Sequence, residues 1–297
     1  MATHELKLNI TDDGVRRIVP EGAVIEHLAS GLGFTEGPVW HGDSLLFSDI
    51  PNNRIVRWKT LPEGSELTTF RTPSGNSNGL TLDRSGRLIA CEHSARRISR
   101  TEADGTITTL AERYQGKRLN SPNDVVVRSD GSVYFTDPPY GLTGLTAWKE
   151  LPFNGVYRLA PDGELELLVD DFDRPNGLAF SPDERVLYVN DTARGHIRAF
   201  DVAAEGQIAN GRVLIDMAGD EPGRPDGMKV DIEGNIYCTG PDGFWIIDPA
   251  GKCLARVLPP ELPANVAWGD ADRKSLFLTA RTGLYRIRLE IAGTPLV

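Results

Sequence analysis

The sequence predicts an all-β fold, a six-bladed β-propeller with four antiparallel strands per blade, and three observations predict it. The first is a repeat. Six segments share one shape, FTEGPVW (34–40), SNGLTLD (77–83), SPNDVVV (121–127), RPNGLAF (174–180), RPDGMKV (224–230) and PANVAWG (263–269). Their opening acid or amide residues are Glu36, Asn78, Asn123, Asn176, Asp226 and Asn265. These lie 42, 45, 53, 50 and 39 residues apart, within the ~40–50 residues typical of a propeller blade. The second is composition: the runs inside each unit are short, rich in β-branched and aromatic residues, and bounded by Gly, Pro, Asn and Asp. The third is that no stretch of about twelve residues carries a 3.6-residue apolar period.

Each unit reads as four strands in order. A short apolar strand follows the opening residue and ends about eight residues on at a turn, such as DRSG (83–86), RSDG (128–131) or DIEG (231–234). The second strand is the most apolar, as in LLFSD, SVYFTD and VLYVND; the third alternates, as in RIVRW, GVYRL and HIRAF. A fourth, as in LTTF or LELLV, leads into the next unit. The sixth unit has three strands before the chain ends. AVIEHLAS (23–30) precedes the first unit and is expected to supply the fourth, closing the ring and removing long free edges. The expected division is an irregular segment over 1–20 and a single propeller domain over 21–297.

The chain has 297 residues and a net charge of −10, from 42 acidic and 32 basic residues. That disfavours nucleic acid, which needs a basic surface, and suits a small polar ligand or a cation. No window approaches ~18 consecutive apolar residues, so no membrane span is expected. The N-terminal stretch MATHELKLNITDDGVRR lacks the layout of a secretory signal. Cys91, Cys238 and Cys253 are odd in number and lack CxxC spacing, so they read as reduced thiols of a cytoplasmic protein. The oligomeric state is open, since a propeller needs no partner to bury its core.

In a propeller the first strand of each blade lines the central channel, so the six opening residues are expected to ring one mouth of it. Two carboxylates and four amides, with no Cys or His, make an oxygen-rich set suited to one hard divalent cation, Ca²⁺ foremost, with Mg²⁺, Mn²⁺ or Zn²⁺ as alternatives. Asn-Gly and Asp-Gly are also ordinary turn dipeptides that need no metal. The loops joining second to third strands should surround the same mouth, bringing in His93 and Tyr140. One of them, 136–155, is much longer than the rest and is expected to form an ordered flap.

The motifs EGPVW (36–40), ACEH (90–93), GKRLNSPNDVVV (116–127), YFTDPPYG (134–141), RPNGLAFSPD (174–183), YVNDT (188–192) and RPDGMKVD (224–231) resemble the gluconolactonase branch of the family that also contains regucalcin (senescence marker protein) and luciferin-regenerating enzyme. The resemblance implies a six-bladed propeller, one catalytic divalent cation and hydrolysis of sugar lactones. It implies Glu36, Asn176 and Asp226 as metal ligands, Asn123 as either a further ligand or a substrate contact, and Asp226 as general base. Catalysis would then rest on Asp226 and Asn123. Regucalcin-type members carry an arginine where this chain has Ser121, so sugar recognition is expected from Arg118, Asn120, His93, Tyr140 and Asn78. Two other functions fit the same ring. One is a paraoxonase-like esterase, although the chain lacks a convincing pair of catalytic histidines. The other is a non-catalytic calcium-binding propeller.

Overall fold

The structure is a computed structural model, and it describes residues 2–142 and 148–296. Among the described residues six antiparallel blade sheets follow one another along the chain, with a two-stranded hairpin of Arg113–Tyr114 and Lys117–Arg118 before the third, and almost no helix is present. The first blade pairs Thr35–His41, Ser44–Asp49, Arg54–Leu61 and Gly64–Arg71 in sequence order. Blades two, three and four repeat that order from Ser77–Leu82, Val125–Val127 and Pro175–Phe180. The fifth and sixth begin at Met228–Val230 and Asn265–Gly269.

Ring closure follows the expectation. Val24–Ala29 pairs antiparallel with Gly283–Arg288, so the N-terminal strand completes the sixth blade. Residues 1–20, expected to be irregular, instead add two short strands. Ala2–Glu5 extends the sixth blade beside Val24–Ala29, and Lys7–Ile10 extends the fifth beside Cys253–Leu258. Their side chains are mostly exposed, so they bury little apolar surface and give no alternating signal in sequence.

Apolar side chains pack between neighbouring blades. Tyr134 meets the Phe180 ring edge-on at 5.0 Å between blades three and four, and Tyr237 meets Trp268 at 4.8 Å between blades five and six. Trp58 and Trp40 of the first blade lie 5.5 and 5.4 Å from Phe277 of the sixth. These rings bury large apolar areas and set the angle between sheets.

The acids that end the second strands have a shared bracing task. Asp49 accepts the Gly33 N–H at 3.0 Å, Asp137 that of Asn120 at 2.7 Å, and Asp191 that of Asp173 at 2.8 Å. Each carboxylate thus satisfies backbone donors in the segment leading into its own blade's first strand, and so fixes where the opening residue falls. In the second blade Glu92 sits between Arg71 and Arg97 instead.

Of the long third-blade loop, residues 143–147 lie outside the described residues. Its first part forms a short 3₁₀ turn over Tyr140–Leu142. Asn120 ties both ends together: its Nδ2 donates to the Asp137 carbonyl at 2.9 Å and to the Phe153 carbonyl at 3.0 Å. Ser121 fastens the turn, donating to the Pro138 carbonyl at 2.6 Å and accepting from the Gly141 N–H at 2.8 Å.

Candidate active site at the channel mouth

Glu36, Asn78, Asn176 and Asn265 sit on first strands, Asn123 and Asp226 lie two residues before theirs, and in three blades a register shift marks the place. The ladders slip between Glu36 and Val39, between Ser77 and Leu80, and between Pro175 and Leu178. A bulge of this kind re-aims a side chain and is common beside active sites. The Asn-Gly pairs are therefore inside strands and are not turns. The glycines serve close approach between blades. Gly79 N donates to the Asn123 carbonyl at 2.7 Å, and a Cβ at Gly79 would stand 2.5 Å from that oxygen. Gly177 N donates to the Asp226 carbonyl at 3.0 Å, and a Cβ there would overlap it.

The opening residues meet across the ring. Asn265 Nδ2 donates to Glu36 Oε2 at 2.9 Å, joining blades six and one. Asn78 Nδ2 donates to Asn123 Oδ1 at 2.7 Å, joining blades two and three. Asn176 donates to Thr192 Oγ1 at 3.0 Å, and its amide lies near enough to the Asp226 carboxylate to favour the ionised form, bringing blades four and five together. Asp226 is braced from behind, its N–H on Thr239 Oγ1 at 3.1 Å and its carbonyl accepting from Asn190 Nδ2 at 2.6 Å.

A residue beyond the expected set completes the cluster. At the position after the opening residue four blades have glycine and the sixth has the apolar Val266, whereas the third has the acid Asp124. Its carboxyl is buried, accepts the Val125 N–H at 2.9 Å, interacts with the Asn265 amide, and leaves Oδ2 without a hydrogen-bond partner. The break in the glycine pattern was the legible signal for it. Lys229 lies on the fifth blade's first strand, and its positive charge acts on both Glu36 and Asp124.

Burial raises the affinity of all three acids for protons. Glu36 is pushed up to about 7, first by burial and then by the charge of Asp124, against the opposing Asn265 and Gly37 hydrogen bonds. Asp226 is raised well above the ordinary carboxylate range by burial, with the charges of Glu36 and Asp124 adding to it. Although closely surrounded, Asp226 keeps partial surface accessibility. Asp124 is raised by burial, and Lys229 opposes the rise.

With the three acids ionised and Lys229 charged, the cluster carries two uncompensated negative charges, and Asn78 Oδ1 and Asp124 Oδ2 are buried without partners. Oxygen donors in this charge state are of the kind a hard divalent cation takes. Among the described residues no three His, Cys, Asp or Glu side chains stand close enough to chelate an ion by themselves. A cation held here would draw on amide oxygens as well as carboxylates.

The remaining residues named from sequence fall in different places. Tyr140 stands at the mouth: its hydroxyl interacts with Thr192 and Asn176, it feels the charge of Asp226, and its ring faces the Arg174 guanidinium at 5.6 Å. His93 lies behind Asn78, with Nε2 at 3.3 Å from Asn78 Nδ2. Burial pushes its pKa down to about 4, which keeps it neutral. The Asn120 amide is engaged with the flap ends, and the Arg118 guanidinium bonds the Ala95 carbonyl at 2.6 Å. The structure thus ties these two to the loops around the flap. A cavity of about 410 Å³, walled by Val39, Leu82, Val127, Phe180 and Trp268, lies at the other end of the first strands, and Lys229 and Val125 reach from its lining to the acids.

Residues 34–282 match the family described as SMP-30/Gluconolactonase/LRE-like region. The chain is 36% identical to a gluconolactonase of Zymomonas mobilis, over 91% of this chain and 82% of that protein. It is 32% identical to regucalcin of Oryctolagus cuniculus, over 84% of each chain. A solved gluconolactonase from Xanthomonas campestris superposes with a TM-score of 0.88 at 34% identity, covering 97% of this chain and 98% of that one.

Proposed function

This chain belongs to the SMP-30/gluconolactonase/LRE-like family, and from that premise we propose that it hydrolyses sugar lactones, opening an aldono-1,4- or 1,5-lactone to its aldonic acid with one bound divalent cation. The observation that carries the reading is the meeting of Glu36, Asp124, Asp226, Asn123 and Asn176, drawn from four blades, at one channel mouth. That meeting is electrostatically costly unless a cation or protons compensate it.

In this reading Glu36, Asn176 and Asp226 hold the cation, and calcium is the first candidate because every donor is a hard oxygen. When bound, such an ion polarises a carbonyl and lowers the pKa of water, a contribution of roughly several kcal/mol to the barrier. The chain's own groups do the rest. Asp226 takes the proton of the attacking water at a carboxylate oxygen. Burial and the charges of Glu36 and Asp124 raise its basicity, a bound cation would lower it, and activation of the water would therefore be shared between Asp226 and the cation. Asn123 contacts the lactone carbonyl. Tyr140 and Thr192, which interact beside Asn176 and Asp226, are assigned to the sugar hydroxyls and to orienting the ring for attack.

The test is pH-stat titration of D-glucono-1,5-lactone, with and without EDTA, for the parent protein and Asp226→Ala. Acid release above background that EDTA abolishes and Asp226→Ala lacks is expected. No acid release with any added divalent metal would overturn the reading, and release by a metal-free protein would overturn its mechanism.

A further inference from the structure

Asn78, His93 and Asn123 form a buried chain whose geometry fixes the direction of an amide. Asn78 Nδ2 has two hydrogens and two neighbours that can accept them, Asn123 Oδ1 at 2.7 Å and His93 Nε2 at 3.3 Å. All three side chains are buried: Asn78 is 5%, His93 7% and Asn123 3% exposed. The chain is also clamped. The backbone of Gly79 bonds the Asn123 carbonyl, and Ser48 Oγ bonds the Asn78 carbonyl at 2.7 Å. Gly141 of the flap lies so close that a Cβ there would come within 2.7 Å of His93 Cβ.

The orientation follows from what each alternative strands. As it stands, the side-chain polar atom of Asn78 without a partner is Oδ1. Turned over, Asn78 would set its oxygen against Asn123 Oδ1, acceptor against acceptor where a 2.7 Å bond now stands, and would bury an NH₂ in the place of Oδ1. A buried acceptor left unmet is tolerated more often than a buried N–H. His93 Nε2 must then be the bare, accepting nitrogen, with the proton on Nδ1. Asn123 in turn has its oxygen tied back to Asn78, and among the described residues nothing accepts a hydrogen bond from its Nδ2.

We propose that Asn123 serves as an N–H donor to the lactone carbonyl oxygen and not as a cation ligand, with Asn78 and His93 as positioning residues that select this amide orientation. As the carbonyl carbon becomes tetrahedral, its oxygen gains charge. A donor already aimed at that oxygen stabilises the transition state more than the ground state. The proposal rests on the lactonase reading for its substrate, but the amide orientation stands or falls separately.

The experiment has three arms on the full chain. Nitrogen-15 NMR of His93 in the parent protein is expected to show Nδ1 protonated and Nε2 bare; a protonated Nε2 would reverse the chain and overturn the proposal. Calorimetric titration with Ca²⁺ is expected to give Asn123→Ala an affinity within about threefold of the parent, while Glu36→Gln loses it. A loss in Asn123→Ala as large as in Glu36→Gln would make Asn123 a ligand and overturn the proposal. In lactone kinetics Asn123→Ala is expected to lose about 100-fold in kcat with KM little changed. His93→Leu is expected to lose about tenfold in kcat, and His93→Gln, which can return an acceptor, to recover most of it. A His93→Leu defect confined to KM, or unrelieved in His93→Gln, would also overturn it. A parent protein that hydrolyses no lactone would overturn the functional reading and the donor role together, and the NMR and Ca²⁺ arms would still decide the orientation.

Discussion

Glu36 shows how one residue couples stability, pH and cation binding. Its ordinary value is 4.5, and burial beside Asp124 raises it to about 7. For an acid raised in the folded state, the folded protein holds more protons between those values. The stability that proton supplies is complete below about 4.5 and is lost as the pH rises through about 7. In EDTA, melting temperature is therefore expected to fall across that window, and Glu36→Gln should flatten the slope. Saturating Ca²⁺ should do the same, because it replaces the proton as counter-charge. A parent protein whose metal-free stability rises over that window would contradict the assignment. Asp124 belongs to the same ledger of charge. Asp124→Asn removes one of the acids that raise Glu36 and Asp226. It is expected to stabilise the metal-free protein at pH 8 and to weaken Ca²⁺ binding roughly tenfold, about 1.4 kcal/mol, by calorimetry. The repeat set Glu36, Asn176 and Asp226 at equivalent places with three amides, and their reading as cation ligands came from the family resemblance. Sequence reasoning passed over Asp124 because a residue one step off that place looks like strand. The tasks of Asn120 and Arg118 were not legible, since both depend on carbonyls of distant loops.

At the scale of elements, the first strands and the flap position the site. Gly177→Ala would drive a Cβ into the Asp226 carbonyl and separate blades four and five at the mouth. A cost of about 1–3 kcal/mol is expected for such overpacking, with a larger fractional loss of activity, because Asp226 moves with its strand. Denaturant titration beside lactone kinetics checks both. Asn120→Ala removes the bonds joining Asp137 and Phe153, and so releases both ends of the flap. The expected effects are a raised KM and a loss of about 1–3 kcal/mol. An unchanged KM would detach the flap from substrate binding. Strand order and turn positions were legible because period-two alternation and Gly, Asp and Pro at fixed offsets are local signals. The bulges at Glu36, Asn78 and Asn176 were not, because a bulge is a relation between two strands and leaves the sequence pattern of each intact.

Across the whole molecule, the ring is closed by pairing between its two chain ends. We propose that the propeller unfolds as one cooperative domain, with a single calorimetric transition. Removing residues 1–10 takes away two exposed edge strands and is expected to lower the melting temperature by a few degrees, at roughly 2–4 °C per kcal/mol. Removing 1–30 takes away the closing strand and is expected to prevent folding. Closure was readable from arithmetic alone, since the last repeat lacks one strand and the first is preceded by one. The edge strands over 2–10 were not, because they bury little.

The central claim is that residues from separate blades jointly hold one divalent cation and use it to open a sugar lactone. Its most direct test is the rate of D-glucono-1,5-lactone hydrolysis after chelation and stepwise return of Ca²⁺, measured in parallel on the parent protein and Glu36→Gln. The account predicts that activity vanishes on chelation, returns in the parent with saturation by a single equivalent, and does not return in the variant. Equal rates before and after chelation, or full recovery in Glu36→Gln, would contradict it.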